Sequence, residues 1–166
     1  MKKLIISILL FAATAFAGTD KAQMESFKKE SLVLRNAVGD AVGSVIPGRS
    51  YLDLPKASYL DGYGAVITLE ASLAPTRNPF SSPETPDQVR KTVNQRRKDI
   101  TQKLEAVLKQ RVGTMQSILP NDSVTIVLYL LNSNPADVPD LPSQIILTAK
   151  KPAQKDDPTQ VTVQEF

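Results

Sequence analysis

The stretch Thr85 to Leu119 limits the folds open to this chain more than any other. Thr85 is a capping residue, Pro86 falls where a missing N–H costs nothing, and Gln88 is placed to close a capping box. Asp87 adds a negative charge to the first turn, which the helix dipole favours. Apolar residues then recur at helical spacing: Val89, Val93, Ile100, Leu104, Val107, Leu108, Val112, Met115, Ile118 and Leu119. Pro120 stops the run, because the residue before a proline avoids the α region. The spacing predicts one helix of roughly 33 residues, about 50 Å long. So long an apolar stripe needs a surface to lie on.

The segments on either side supply that surface. Asp20 to Val42 reads as a second helix, with Met24, Phe27, Ser31, Leu34, Val38 and Ala41 three and four apart on one face. Two strand-like runs follow, Arg49 to Leu54 and Ala65 to Ser72. The second alternates Ala65, Ile67, Leu69 and Ala71 against Val66, Thr68, Glu70 and Ser72. Between them, Ser58 to Gly64 reads as a turn or bulged strand entry built on Gly62 and Gly64. A proline-rich loop, Ala74 to Pro86, leads into the long helix.

After Pro120, Asn121-Asp122 turns the chain into Ser123 to Leu131, which is apolar on both faces after Thr125. A strand with one wet face should alternate, so both of its faces are expected to be covered. The long helix would cover one, and the first helix or a second copy the other. Ser143 to Lys150 is the last clear strand. From Lys151 the chain is polar and is expected as a mobile tail over 151–166, with Val161-Thr162-Val163 as a candidate edge strand.

Residues 1–17 read as a signal peptide. Lys2 and Lys3 precede an apolar core from Leu4 to Phe11, and Ala15-Phe16-Ala17 forms a small-x-small cleavage site before Gly18. The core is too short for a membrane span of ~20 residues. The competing reading, an uncleaved anchor, is disfavoured by the polar residues after Ala17. The chain is therefore expected in the periplasm or outside the cell. Cleavage would leave 18 basic against 17 acidic residues, a net charge of +1, so bulk charge gives no case for nucleic acid.

Of 166 residues none is cysteine and none is histidine. This removes a disulfide framework, a Ser-His-Asp triad, histidine acid–base chemistry and His- or Cys-ligated metals. No metal or cofactor is expected. The remaining 18–150 is long enough for one domain with its own core.

Three clusters stand as candidate sites. The long helix carries Arg90, Lys91, Arg96, Arg97, Lys98, Lys103, Lys109 and Arg111 against Asp87, Asp99 and Glu105. Arg90, Arg96, Arg97 and Lys103 would suit an anionic lipid, a cell-wall polymer or an acidic partner; the plainer reading is a solvated face. The turn with Tyr59, Asp61 and Tyr63 would suit ligand contact, against a plain turn whose tyrosines edge the core. Asp53, Asp61 and Glu70 share the first strand pair, but their spacing matches neither a calcium loop nor a hydrolase pair.

Tyr59 to Glu70, the charged helix, and Ile145-Ile146-Leu147-Thr148-Ala149-Lys150-Lys151 resemble small exported bacterial proteins of uncharacterised function. The resemblance implies no activity, cofactor or site residue. The expectation is an α+β two-layer sandwich: helix, two strands, long helix, two strands, in a mostly antiparallel sheet. Its expected core is Ile67, Leu69, Val93, Ile100, Leu104, Leu108, Ile126, Leu128, Leu130, Ile145 and Leu147. The leading functional expectation is a non-enzymatic exported module that binds another envelope protein or itself. Peripheral binding of anionic lipid or cell-wall polymer through the basic helix face is the second. A hydrolase is a remote third.

Overall fold

The computed structural model describes residues 21–46, 54–75, 84–132, 135–154 and 157–166. The expected signal peptide, Asp53 and nearly all of the strand expected over 49–54 lie outside them. Helix α1 is Lys21–Gly43, and it buries Phe27, Ser31, Leu34, Val38 and Val42. These residues keep one face because they step by three and four. Met24 and Ala41 sit half-buried at its margin.

Helix α2 is Pro86–Arg111. Its start follows the sequence signal closely. The Thr85 side chain accepts from the Gln88 backbone N–H, and the Gln88 side chain accepts from the Thr85 N–H at 2.8 Å. It buries Val93, Ile100, Leu104 and Leu108. The expectation of an unbroken helix to Leu119 is corrected. Val112–Thr114 is a single 3-10 turn, and the chain then leaves the helical path. Gly113 sits where helix propensity drops, and the Thr114 hydroxyl donates to the Arg111 carbonyl at 2.8 Å. Val112, Met115 and Ile118 are still buried, because this bent segment lies on the same core. Their helical spacing recorded burial and not helix. Leu119 is exposed.

The sheet has five strands: β1 Lys56–Leu60, β2 Gly64–Ala71, β3 Ser123–Leu130, β4 Gln144–Lys150 and β5 Val161–Glu165. They lie side by side in sequence order. The sheet is mostly antiparallel, and only β2 and β3 run parallel. A parallel pair needs a long crossover, and α2 provides it.

Two strand expectations change. The stretch Ser58 to Gly64, expected as a turn or bulged strand entry, holds most of β1 and only a three-residue turn, with Lys56 opposite Thr68 and Leu60 opposite Gly64. The polar Lys-Ala-Ser-Tyr-Leu sequence of β1 hid an alternation that turns Ala57 and Tyr59 towards the core. The stretch expected as a mobile tail contributes β5, paired along β4 from Val161–Ala149 to Glu165–Ile145.

Every expected core residue is buried, in one cluster with α1. The sheet gives this cluster Ala65, Ile67, Leu69 and Ala71 from β2, Val124, Ile126, Leu128 and Leu130 from β3, and Ile145, Leu147 and Ala149 from β4. These are alternate positions, so one side of the sheet faces both helices. The expectation that α1 covers the second side of β3 is therefore corrected.

Candidate functional site

Among the described residues, neither helix covers the second side of the sheet. Register places its residues in rows across the five strands. One row is Ser58, Val66, Thr125, Thr148 and Thr162. The next is Lys56, Thr68, Val127, Ile146 and Gln164. Beyond it lie Glu70, Tyr129 and Gln144. The centre is thus threonine and β-branched aliphatic, with charge at the margins: Lys56 and Glu70 on the β1 side and Lys150 at the end of β4. Val66, Val127 and Ile146 are half-buried, and Tyr129 is 44% exposed.

Tyr63 closes one end of this face. Its hydroxyl lies 2.6 Å from the Thr125 hydroxyl, which lies 3.0 Å from that of Thr148. This chain explains why Thr125 is buried on an otherwise open face. Tyr63 reaches it from a tight turn. Gly62 and Gly64 have φ of 72° and 117°, and the Tyr63 carbonyl accepts from the Ser123 N–H at 2.7 Å. At the far end, Leu54, Lys56, Thr68, Leu69, Glu70 and Tyr129 line a depression of about 60 Å³. A second depression of about 120 Å³ lies between α1 and the bend after α2. Both are far smaller than the roughly 300 Å³ at which small-molecule pockets begin.

The turn residues do not converge. Tyr59 points to the helix side, with its ring edge-on to Phe27 at 5.3 Å and its hydroxyl accepting from Gln23 Nε2 at 2.8 Å. Burial raises its phenol above the ordinary value; Asp122 and Asp61 add to the rise, and the Gln23 hydrogen bond opposes it. Tyr63 serves the opposite side. Asp61 sits in the β1–β2 turn and Glu70 near the other end of β2, roughly 20 Å away along the strand. They form no carboxylate pair. Among the described residues, no group of acids is placed to hold a metal ion.

The basic helix is also divided. Arg96 donates from one guanidinium nitrogen to the carbonyls of Leu73 (3.0 Å) and Ala74 (2.9 Å), so it holds the chain leaving β2. Arg97 lies 3.8 Å from Glu165 on β5, and Arg90 lies 3.7 Å from Asp87. Lys109 pairs with Glu105 one turn earlier. Lys91, Lys98 and Lys103 are the exposed remainder.

The second apolar side of β3 was legible in the sequence, but the face it belongs to was not. The signal was present in Val66, Val127 and Ile146, but only register shows that they are neighbours. No family model matches the chain, and neither a curated protein nor a solved structure matches it. No described helix is long and apolar enough to cross a membrane.

Proposed function

We propose that this chain is a non-enzymatic, exported binding protein. It is read as a two-layer α+β body whose helices back one side of the sheet, leaving the other side to bind a protein partner of the cell envelope. One observation carries the reading: the open side centres on Val66, Val127, Ile146 and the threonines, where a merely solvated sheet face would carry charge. Five strands at ~4.8 Å spacing make this face roughly 24 Å wide. That is of the order of one side of a standard protein interface. Tyr63 and Tyr129 supply rigid aromatic contact area at its edges. The absence of histidine and cysteine from the sequence supports binding over chemistry.

The test is capture from an envelope extract on immobilised protein. Wild type should retain a partner that Val127→Glu and Ile146→Glu each lose. Lys98→Glu and Lys103→Glu should retain it. A partner lost with the lysine variants but kept by the open-face variants would transfer the function to the basic helix. No retained partner at all would count against the reading.

A further inference from the structure

The outer edge of β5 differs from the outer edge of β1. β1 opens directly after Pro55 and carries Lys56, two devices that discourage another strand from adding. β5 reads Val-Thr-Val-Gln-Glu, with no lysine, no proline and an unbroken register along β4. Among the described residues no strand pairs its outer edge.

The direction of its hydrogen bonds is fixed by one pair. The Phe166 N–H donates to the Gln144 carbonyl at 3.1 Å, and the Gln144 N–H donates to the Phe166 carbonyl at 3.3 Å. In an antiparallel ladder such pairs alternate, so Gln164 and Thr162 also turn their backbone groups towards β4. Val161, Val163 and Glu165 therefore turn theirs outward. Val163 faces the helix side, opposite Leu147, yet is 37% exposed because the sheet ends there.

We propose that a second copy of this chain pairs at this edge, β5 against β5, antiparallel about a two-fold axis at Val163. The register is self-complementary, as a two-fold contact requires. Val163 meets Val163 of the second copy, Val161 meets Glu165, and Thr162 meets Gln164. The outward-turned residues face one another, so Val161, Val163 and Glu165 all gain backbone partners from the second copy. No like charges stand opposite. The two Glu165 carboxylates end up four positions apart along the strands, roughly 13 Å, each beside its own Arg97. The two Val163 side chains cover each other. The result is one continuous sheet of two copies, with the open face doubled.

This pairing uses a different surface from the proposed partner site and goes beyond that reading. The protein, expressed from its full sequence, is followed by sedimentation over a concentration series. Wild type should dimerise, and Val163→Lys should weaken the dimer at least roughly tenfold, because two lysines then oppose each other at the axis. Thermal unfolding of the dilute variant shows whether the monomer fold is kept. A second measurement uses the cysteine-free background. Val163→Cys should form a disulfide-linked dimer under mild oxidation, because opposed residues lie about 5.5 Å apart at Cα. Thr162→Cys should not, because its own symmetry mate is displaced along the strand. A wild type that stays monomeric throughout overturns the proposal. So does a dimer that survives Val163→Lys with both cysteines linking equally fast. A monomer that still captures its partner through Val127 and Ile146 would sink this pairing alone.

Discussion

Glu30 and Ser117 are joined twice across the molecule. One carboxylate oxygen of Glu30, on α1, accepts from the Ser117 N–H at 3.0 Å and from the Ser117 hydroxyl at 2.5 Å. Its other oxygen accepts from the Gln116 N–H at 2.8 Å. Ser117 is almost wholly buried, in the bend between α2 and β3. From the other side, Lys151 donates to the carbonyls of Met115 (2.6 Å) and Ile118 (2.7 Å). An irregular segment thus has its backbone groups satisfied by two charged side chains from distant parts of the chain.

Removing the acid leaves buried donors without acceptors, which costs more than a single hydrogen bond. Glu30→Ala should lower the unfolding free energy by about 2 kcal/mol, and Glu30→Gln by roughly half of that. Urea unfolding checks both. An Ala variant as stable as wild type would show that water replaces the carboxylate.

Gly64 and Gly62 both have positive φ, yet they should respond differently. A Cβ on Gly62 meets nothing within 4 Å, so Gly62→Ala carries only the left-handed backbone cost, about 1 kcal/mol. A Cβ on Gly64 would run into the Ser123 backbone, at the first pair of the parallel β2–β3 ladder. Backbone cannot swing aside as a side chain can. Gly64→Ala should cost about 3 kcal/mol or more. Paired urea midpoints for the two variants decide it.

The core was legible because burial and spacing agree. Val93, Ile100, Leu104 and Leu108 are apolar at helical steps, and they are buried. The Thr85–Gln88 capping box was legible because it is local. Three features were not. Met115 and Ile118 keep the rhythm of α2 after the helix has ended, since a bent segment on the same core meets the same demand for apolar residues. Lys56–Leu60 is a short edge strand whose outward residues are polar, so its pattern is faint. The face shared by Val66, Val127 and Ile146 comes from three strands, and periodicity within one strand says nothing about its neighbours. The same limit applies to the turn: Tyr59 and Tyr63 are close in sequence but serve opposite sides of the sheet.

Tyr59 links stability to alkaline pH. Burial raises its phenol above the ordinary 10.0, so the folded state holds the proton more tightly than the unfolded chain. The contribution is complete below 10.0, the unfolded value. It declines as pH rises above that value and is gone once pH passes the folded one. Urea midpoints should therefore fall on the alkaline side of 10.0. Tyr59→Phe should flatten part of that fall. An unchanged alkaline slope in the Phe variant would assign the effect to other groups.

Arg96 and Lys103 lie on the same helix and should separate structure from binding. Arg96 holds the carbonyls of Leu73 and Ala74 as the chain leaves β2, and its side chain is only partly exposed. Arg96→Ala leaves two carbonyls without that donor and should cost about 1–3 kcal/mol. Arg96→Lys should recover part of this, because an ammonium can also donate to two carbonyls from one nitrogen, but its stem is shorter than that of arginine. Lys103 is exposed, and Lys103→Ala should stay within about 0.5 kcal/mol of wild type. Reversing the charge of Arg96 would therefore confuse lost binding with lost folding, whereas Lys91, Lys98 and Lys103 can be reversed without that confusion. If Arg96→Ala proved as stable as wild type, the guanidinium would be free for a ligand, and the basic helix would regain its claim as a binding surface.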